Sequence, residues 1–270
     1  IKLRIGTIKC LKNKGKLMAT VIKFSADEYK SLMAIFNILK ENCDDITIYN
    51  GKIHQLSNSK TMIYDIDLSN FFKNSTVYIN SIKKHYSLFN MFAISNNEVM
   101  LRIDDKKYTW MDKKSKIECL IPEPSTLNPA YMDENSKRSQ DTKSMGIKIF
   151  ETSMDRTIID RISQASSNKA LESKIVTLNI EEDKATFVII PQDLLACTKL
   201  DVHSVDELNN ESFNCSTQYD INTFILKTEE LNISLFKNKV IDTGFTTIYN
   251  CDIEGIPFKM WSLTNYVNNK

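Results

Sequence analysis

Residues 18–122 and residues 147–270 carry the same order of local signals, and this repetition narrows the fold more than any single motif. In the first half, Ser25-Ala-Asp-Glu28 has the pattern of a capping box, in which the serine hydroxyl and the glutamate carboxylate satisfy each other's orphan backbone amides. The helix it opens places Tyr29, Leu32, Ile35, Phe36 and Leu39 on one face. "DITIYNGKIHQLS" and "KTMIYDIDLS" then alternate apolar and polar residues, with Asn50-Gly51 as a hairpin signal. "STVYI" leads into a second helix, "NEVMLRIDDKKYTWMD" reads as a hairpin turning at Asp104–Lys106, and "SKIECLI" as a final strand.

Residues 122–146 interrupt this grammar with three prolines, many polar residues and no periodicity, the texture of an extended linker. The grammar then returns. "SMDRTIIDRISQAS" predicts a helix with Ile158, Ile159, Ile162 and Ala165 inward. "SKIVTLNIEEDKATFVII" predicts a hairpin turning near Glu182–Asp183, and "LLACTKLDVHSV" another strand. Asp220 is predicted to cap a short helix over "INTFILKTEE", with Ile221, Phe224 and Ile225 on one side. "LNISLFKN", "VIDTGFTTIYNC" and "PFKMWSLT" predict closing strands. The halves share almost no residue identity but share their order of elements, which points to a duplicated α+β fold built from antiparallel hairpins. The expected organisation is a basic N-terminal extension at 1–17, domains at 18–122 and 147–270, and a connector at 123–146.

The second helix of the first half, within "YINSIKKHYSLFNMF", repeats Ile82, Tyr86, Phe89 and Phe92 at core spacing. Lys83, Ser87 and Asn90 lie on the other side with Lys84 and His85 beside them, so a cationic face needs a partner. Net charge is only +1, with 35 Lys and Arg against 34 Asp and Glu, so a nucleic-acid site must be a local patch. Residues 1–17 hold six Lys or Arg and no acid; they read as sequence upstream of the folded region or as a basic arm with weak phosphate affinity.

Other chemistry finds little support. The six cysteines, Cys10, Cys43, Cys119, Cys197, Cys215 and Cys251, stand far apart, with no Cys-x-x-Cys and no histidine at ligand spacing. They read as reduced, half-buried residues of a cytosolic protein. No glycine-rich phosphate loop, G-x-S-x-G or H-E-x-x-H occurs, and no run approaches the ~18 apolar residues of a membrane span. His54, His85 and His203 are expected at ordinary surface or edge positions, and Asp44–Asp45 and Asp104–Asp105 as solvated turn residues. No catalysis, metal or cofactor is expected.

The repeated pattern resembles the DNA sliding clamps, closest to the trimeric polymerase clamps of T-even-type phages. "YDIDLSNFFKNSTVYINSIKKHYSLFNMF" and "YDINTFILKTEELNISLF" carry the likeness most clearly, each a polar–apolar strand running into a short second helix. It spans about residues 20–265 and is a match of pattern, since clamps have no signature motif. The resemblance implies a two-domain, ring-forming α+β fold with antiparallel sheets outside and two helices per domain lining the inner face. It implies a non-enzymatic processivity factor in the cytoplasm of a phage-infected host cell or a phage compartment, a homotrimer that encircles double-stranded DNA, tethers DNA polymerase and depends on a separate clamp loader.

On that resemblance, Lys30, Lys83, Lys84, Arg156, Arg161 and Lys227 would face DNA. The strands at 116–121 and 196–205 would pair between subunits, with Ile117, Cys119, Ile121, Thr198, Leu200 and Val202 at the interface. Leu127, Tyr131 and Met132 of the connector would hold partner peptides. Two rival readings stand beside it. One is a β-rich structural or assembly protein of a virion, whose cations would scatter over unrelated surfaces. The other is a hydrolase whose site forms only on folding.

Overall fold

The computed structural model describes residues 19–73, 75–104, 106–121, 145–167, 174–190, 199–206, 208, 215–239 and 244–265. The expected extension at 1–17, and Leu127, Tyr131, Met132 and Thr198, lie outside them. The chain divides into two compact units, residues 1–132 with 253–257 and residues 133–252 with 258–270.

The first unit begins with β1 (Thr20–Phe24) and α1 (Ala26–Asn42). The capping box forms as read: Glu28 N–H donates to Ser25 Oγ at 3.2 Å and Ser25 N–H to Glu28 Oε2 at 2.7 Å. Then follow β2 (Ile46–Tyr49), β3 (Lys52–Leu56), β4 (Met62–Asp67), the one-turn α2 (Ser69–Phe72), β5 (Val77–Ile79) and α3 (Ile82–Ser95). β6 (Val99–Ile103), β7 (Lys107–Met111) and β8 (Lys116–Leu120) close the unit. Asn50 and Gly51 join β2 to β3 with φ of 49° and 76°, the pair of positive φ values a type I′ hairpin requires. A side chain at Gly51 would also meet the Lys73 carbonyl oxygen at 2.7 Å.

These strands form two sheets, in the orders β1-β6-β7-β8 and β5-β2-β3-β4, with every neighbouring pair antiparallel. α1 and α3 pack against each other and onto an aromatic cluster of Phe24, Tyr29, Phe89, Phe92 and Trp110. All five rings are buried, and burying each such side chain contributes roughly 1.5–3 kcal/mol.

The second unit comprises β9 (Ile147–Asp155), α4 (Arg156–Ser167), β10 (Ile175–Glu181), β11 (Lys184–Ile189), β12 (Leu200–Asp206), β13 (Cys215–Asp220), β14 (Glu230–Lys237), β15 (Gly244–Ile253) and β16 (Ile256–Asn265). Its strand orders are β12-β11-β10-β13 and β16-β15-β14-β9. Matched by chain order, β13-β10-β11-β12 repeats β5-β2-β3-β4, and β9-β14-β15-β16 repeats β1-β6-β7-β8. The duplication inferred from the order of elements is therefore present in the sheet topology.

The second helices differ between the units. The helix expected over 221–230 is a single 3₁₀ turn, Ile221–Thr223, capped as expected by Asp220, whose Oδ1 accepts from Asn222 N–H at 2.9 Å. Phe224, Leu226 and Thr228 are all buried, a period of two that a helix cannot satisfy, and β14 begins at Glu230. Among the described residues, the expected pair of packed helices is thus present in the first unit, and the second unit shows α4 with the single 3₁₀ turn. His54 also departs from expectation: it is buried in β3, an interior strand.

Candidate nucleic-acid interface and sheet edges

In the first unit the cations stand on two antiparallel helices clamped by named contacts. Tyr29 Oη donates to the Phe89 carbonyl oxygen at 3.0 Å, and Lys40 Nζ lies 4.1 Å from the Tyr86 ring centroid. Lys30, on α1, donates to Asn96 Oδ1 at 2.7 Å at the C-terminus of α3 and lies 3.9 Å from Asp27. Its charge is already half committed to holding the helix pair.

Lys83 and Lys84 are different. Both are exposed in the first turn of α3, which contains no acid, and neither has an ion-pair partner among the described residues. A helix N-terminus carries a partial positive charge, so cations there cost a few tenths of a kcal/mol in the free protein. A phosphate beside them would relieve that repulsion.

In the second unit Arg156 opens α4, pairs with Asp160 at 3.0 Å and donates to the Thr228 carbonyl oxygen at 3.3 Å. That contact brings Arg156 beside exposed Lys227. Arg161 is exposed one turn further along α4. In the first unit Lys30 stands at the C-terminal end of α3 and Lys83 and Lys84 at its N-terminal end, so the expected cations are spread along the helix pair. In the second Arg156 and Lys227 are neighbours, and Asp160 neutralises part of that group.

The outward face of α3 is not wholly polar. Leu88, Met91 and Ile94 project from it with 43%, 57% and 76% of their surface exposed. Of the stripe expected to face the core, Ile82, Phe89 and Phe92 are buried and Tyr86 is half-buried. The signal missed was that α3 holds more large apolar residues than one face can cover.

Two edge strands, β8 in the first unit and β12 in the second, have no further strand beside them among the described residues. β8 carries Ile117 and Cys119; Ile121 follows it, and β12 carries Leu200 and Val202. Ile121 N–H donates to the Lys106 carbonyl at 2.9 Å, and Asp112 N–H to the Ser115 carbonyl at 3.0 Å. Antiparallel pairing alternates, so Cys119 and Ile117, opposite Tyr108 and Trp110, direct their N–H groups toward β7. The N–H groups of Lys116, Glu118 and Leu120 point out from the edge. Ile117 and Cys119 share the sheet face of Trp110, on which the helices pack.

No cluster of three or more metal-ligating side chains occurs among the described residues, and no described helix is long and apolar enough to cross a membrane. Asp45 Oδ1 accepts from Ser81 N–H at 2.9 Å and Asp104 pairs with Arg102 at 3.1 Å, so these acids serve turns.

No family model and no curated protein matches the chain. Solved structures do. The proliferating cellular nuclear antigen of Entamoeba histolytica is 11% identical, covering 91% of this chain and 98% of its own, with a TM-score of 0.59. A PCNA2–PCNA3 complex from Sulfolobus tokodaii is 14% identical over 90% of this chain and 98% of its own, at 0.55. A DNA polymerase III beta subunit from Eubacterium rectale, itself a tentative assignment, is 13% identical over 95% of this chain and 67% of its own, at 0.57. The chain has the sliding-clamp fold.

Proposed function

From that fold we propose that this chain is a non-enzymatic sliding clamp, a homotrimeric ring that encircles duplex DNA without regard to sequence and tethers a replicative DNA polymerase. The carrying observation is the likeness to the nuclear antigens over nearly the full length of both chains, against two thirds of the beta subunit, which favours the nuclear antigens' number of copies per ring. β8 and β12 are the strands that would join subunits, with Ile117, Cys119 and Ile121 of one copy beside Thr198, Leu200 and Val202 of the next. Leu127, Tyr131 and Met132 of the connector are the proposed hold for polymerase and clamp-loader peptides. A ring retains DNA by topology, so weak phosphate contacts from Lys83 and Lys84, supported by Lys30, Arg156, Arg161 and Lys227, suffice.

The test is Lys83→Glu/Lys84→Glu, read as retention on linear duplex DNA across a salt series. Removing one lysine–phosphate interaction flattens the salt slope by about 0.9 units per site. Acids at a helix N-terminus are favourable, so the variant should bind DNA more weakly yet melt no lower than the parent. An unchanged salt slope would turn these lysines toward bulk solvent and favour the assembly-protein reading.

A further inference from the structure

We infer that His85 sets the charge of the phosphate site on α3, so that duplex DNA is held more tightly as pH falls. With the imidazole neutral the start of the helix offers Lys83 and Lys84; with it protonated a third cation joins them. The inference rests on the reading of these lysines as phosphate contacts and adds their regulation.

His85 follows the two lysines directly and is half-buried. Its Nδ1 lies 2.8 Å from the Asn80 carbonyl oxygen. A carbonyl only accepts, so Nδ1 carries the proton of the neutral ring and Nε2 keeps the lone pair. One ring face stacks on Phe89, with centroids 5.8 Å apart and planes 20° apart. Nε2 is therefore the atom that changes, from an acceptor that repels a phosphate oxygen to a charged donor that binds one. Both fixed contacts suit the charged ring. A hydrogen bond strengthens when its donor is ionised, and an aromatic face attracts a cation.

The surrounding charges pull in both directions. Lys83, Lys84 and the positive end of the helix oppose protonation. Asp44 and Asp45, in the segment entering β2, favour it. They are tied to the start of α3: Asp45 Oδ1 accepts from Ser81 N–H at 2.9 Å, and the Asp44 carbonyl from Ile82 N–H at 2.7 Å. On α1, Lys40 and Glu41 pair with each other at 3.6 Å, and β5 carries no charged residue. A phosphate beside Lys83 and Lys84 offsets the repulsion they exert on a charged ring, so binding favours protonation. By reciprocity, protonation favours binding.

The experiment is retention of the full chain on linear duplex DNA over a salt series at about pH 8 and about pH 5.5, the range in which histidine changes charge. The proteins are the parent, His85→Gln and His85→Lys, with circular dichroism at both pH values to check folding. The parent's salt slope should be steeper at the lower pH by about 0.9 units per site. His85→Gln, always neutral, should keep the shallow slope at both pH values, and His85→Lys, always charged, the steep one. A parent slope that ignores pH, or a His85→Gln slope that steepens in acid as the parent's does, would overturn the role of His85 and leave the phosphate site standing. A parent retained at neither pH would overturn both.

Discussion

The Tyr29 hydroxyl, buried between α1 and α3, donates to the Phe89 carbonyl oxygen at 3.0 Å. It is the buried polar pin of a seam that also carries the exposed Lys30–Asn96 hydrogen bond, and its burial holds the phenol well above its ordinary titration range. Tyr29→Phe keeps the ring contacts with Phe24, Phe92 and Trp110 and removes only the donor. The expected cost is about 1 kcal/mol, or a melting midpoint lowered by about 2–4 °C in a chain of this size. Because the seam sets how Lys83 stands relative to Lys30, DNA retention should weaken slightly in step. A midpoint equal to the parent's would assign the seam's stability to ring packing alone.

Glu118 and Ile117 are adjacent in β8 but should respond oppositely to proline. Ile117 directs its N–H to Trp110, so proline there would break the unit's own ladder. Glu118 directs its N–H outward and holds exposed ion pairs to Lys107 and Lys116, each worth little. Glu118→Pro should leave the melting midpoint within a few degrees of the parent and reduce the solution mass to the 31.1 kDa of one chain. A folded Glu118→Pro oligomer would remove β8 from the subunit contact.

His203, on β12, lies 2.6 Å from Thr152 Oγ1 and 6.0 Å from the Phe187 ring centroid. Burial pushes its pKa below the ordinary 6.5, against the opposing pull of the Asp155 carboxylate. The folded value is depressed, so between it and 6.5 the unfolded chain binds the extra proton. The stability from neutral His203 is present above about pH 6.5 and is lost as pH falls toward the folded value. Thermal melts on either side of that window should show a slope that flattens in His203→Gln. An identical slope in both proteins would assign the loss to other groups.

Legibility followed locality. The capping box and Asn50-Gly51 each specify their geometry within four residues, and the structure reproduces both. β1 and β9 are not legible as separate strands, because each runs straight into a helical segment, and of β13 only its end at Tyr219–Asp220 is legible. The helix over "INTFILKTEE" fails because Phe224, Leu226 and Thr228 are claimed by sheet packing, which overrides local preference. The outward placement of Leu88, Met91 and Ile94 depends on which apolar row α1 and Trp110 occupy, a tertiary choice between nearly equal rows. For the cations, periodicity sorts inside from outside. It does not distinguish Lys84, free of acids, from Arg156, held by Asp160.

In the proposed ring, the alternation along β8 would make the length of one turn a determinant of assembly. The segment between Met111 and Lys116 sets which residues of β8 face β7, and hence whether even- or odd-numbered amides are offered outward. One added residue there would reverse that parity. It would turn Ile117 and Cys119 to the opposite side of the sheet and present an incoming strand with the wrong set of donors. Within the unit the slip would bring the buried Cys119 side chain to the open face, and in the proposed ring it would also mismatch the repeating contact between copies. The length of this turn would thus be constrained by its own unit and, in the proposed ring, by the neighbouring chain as well.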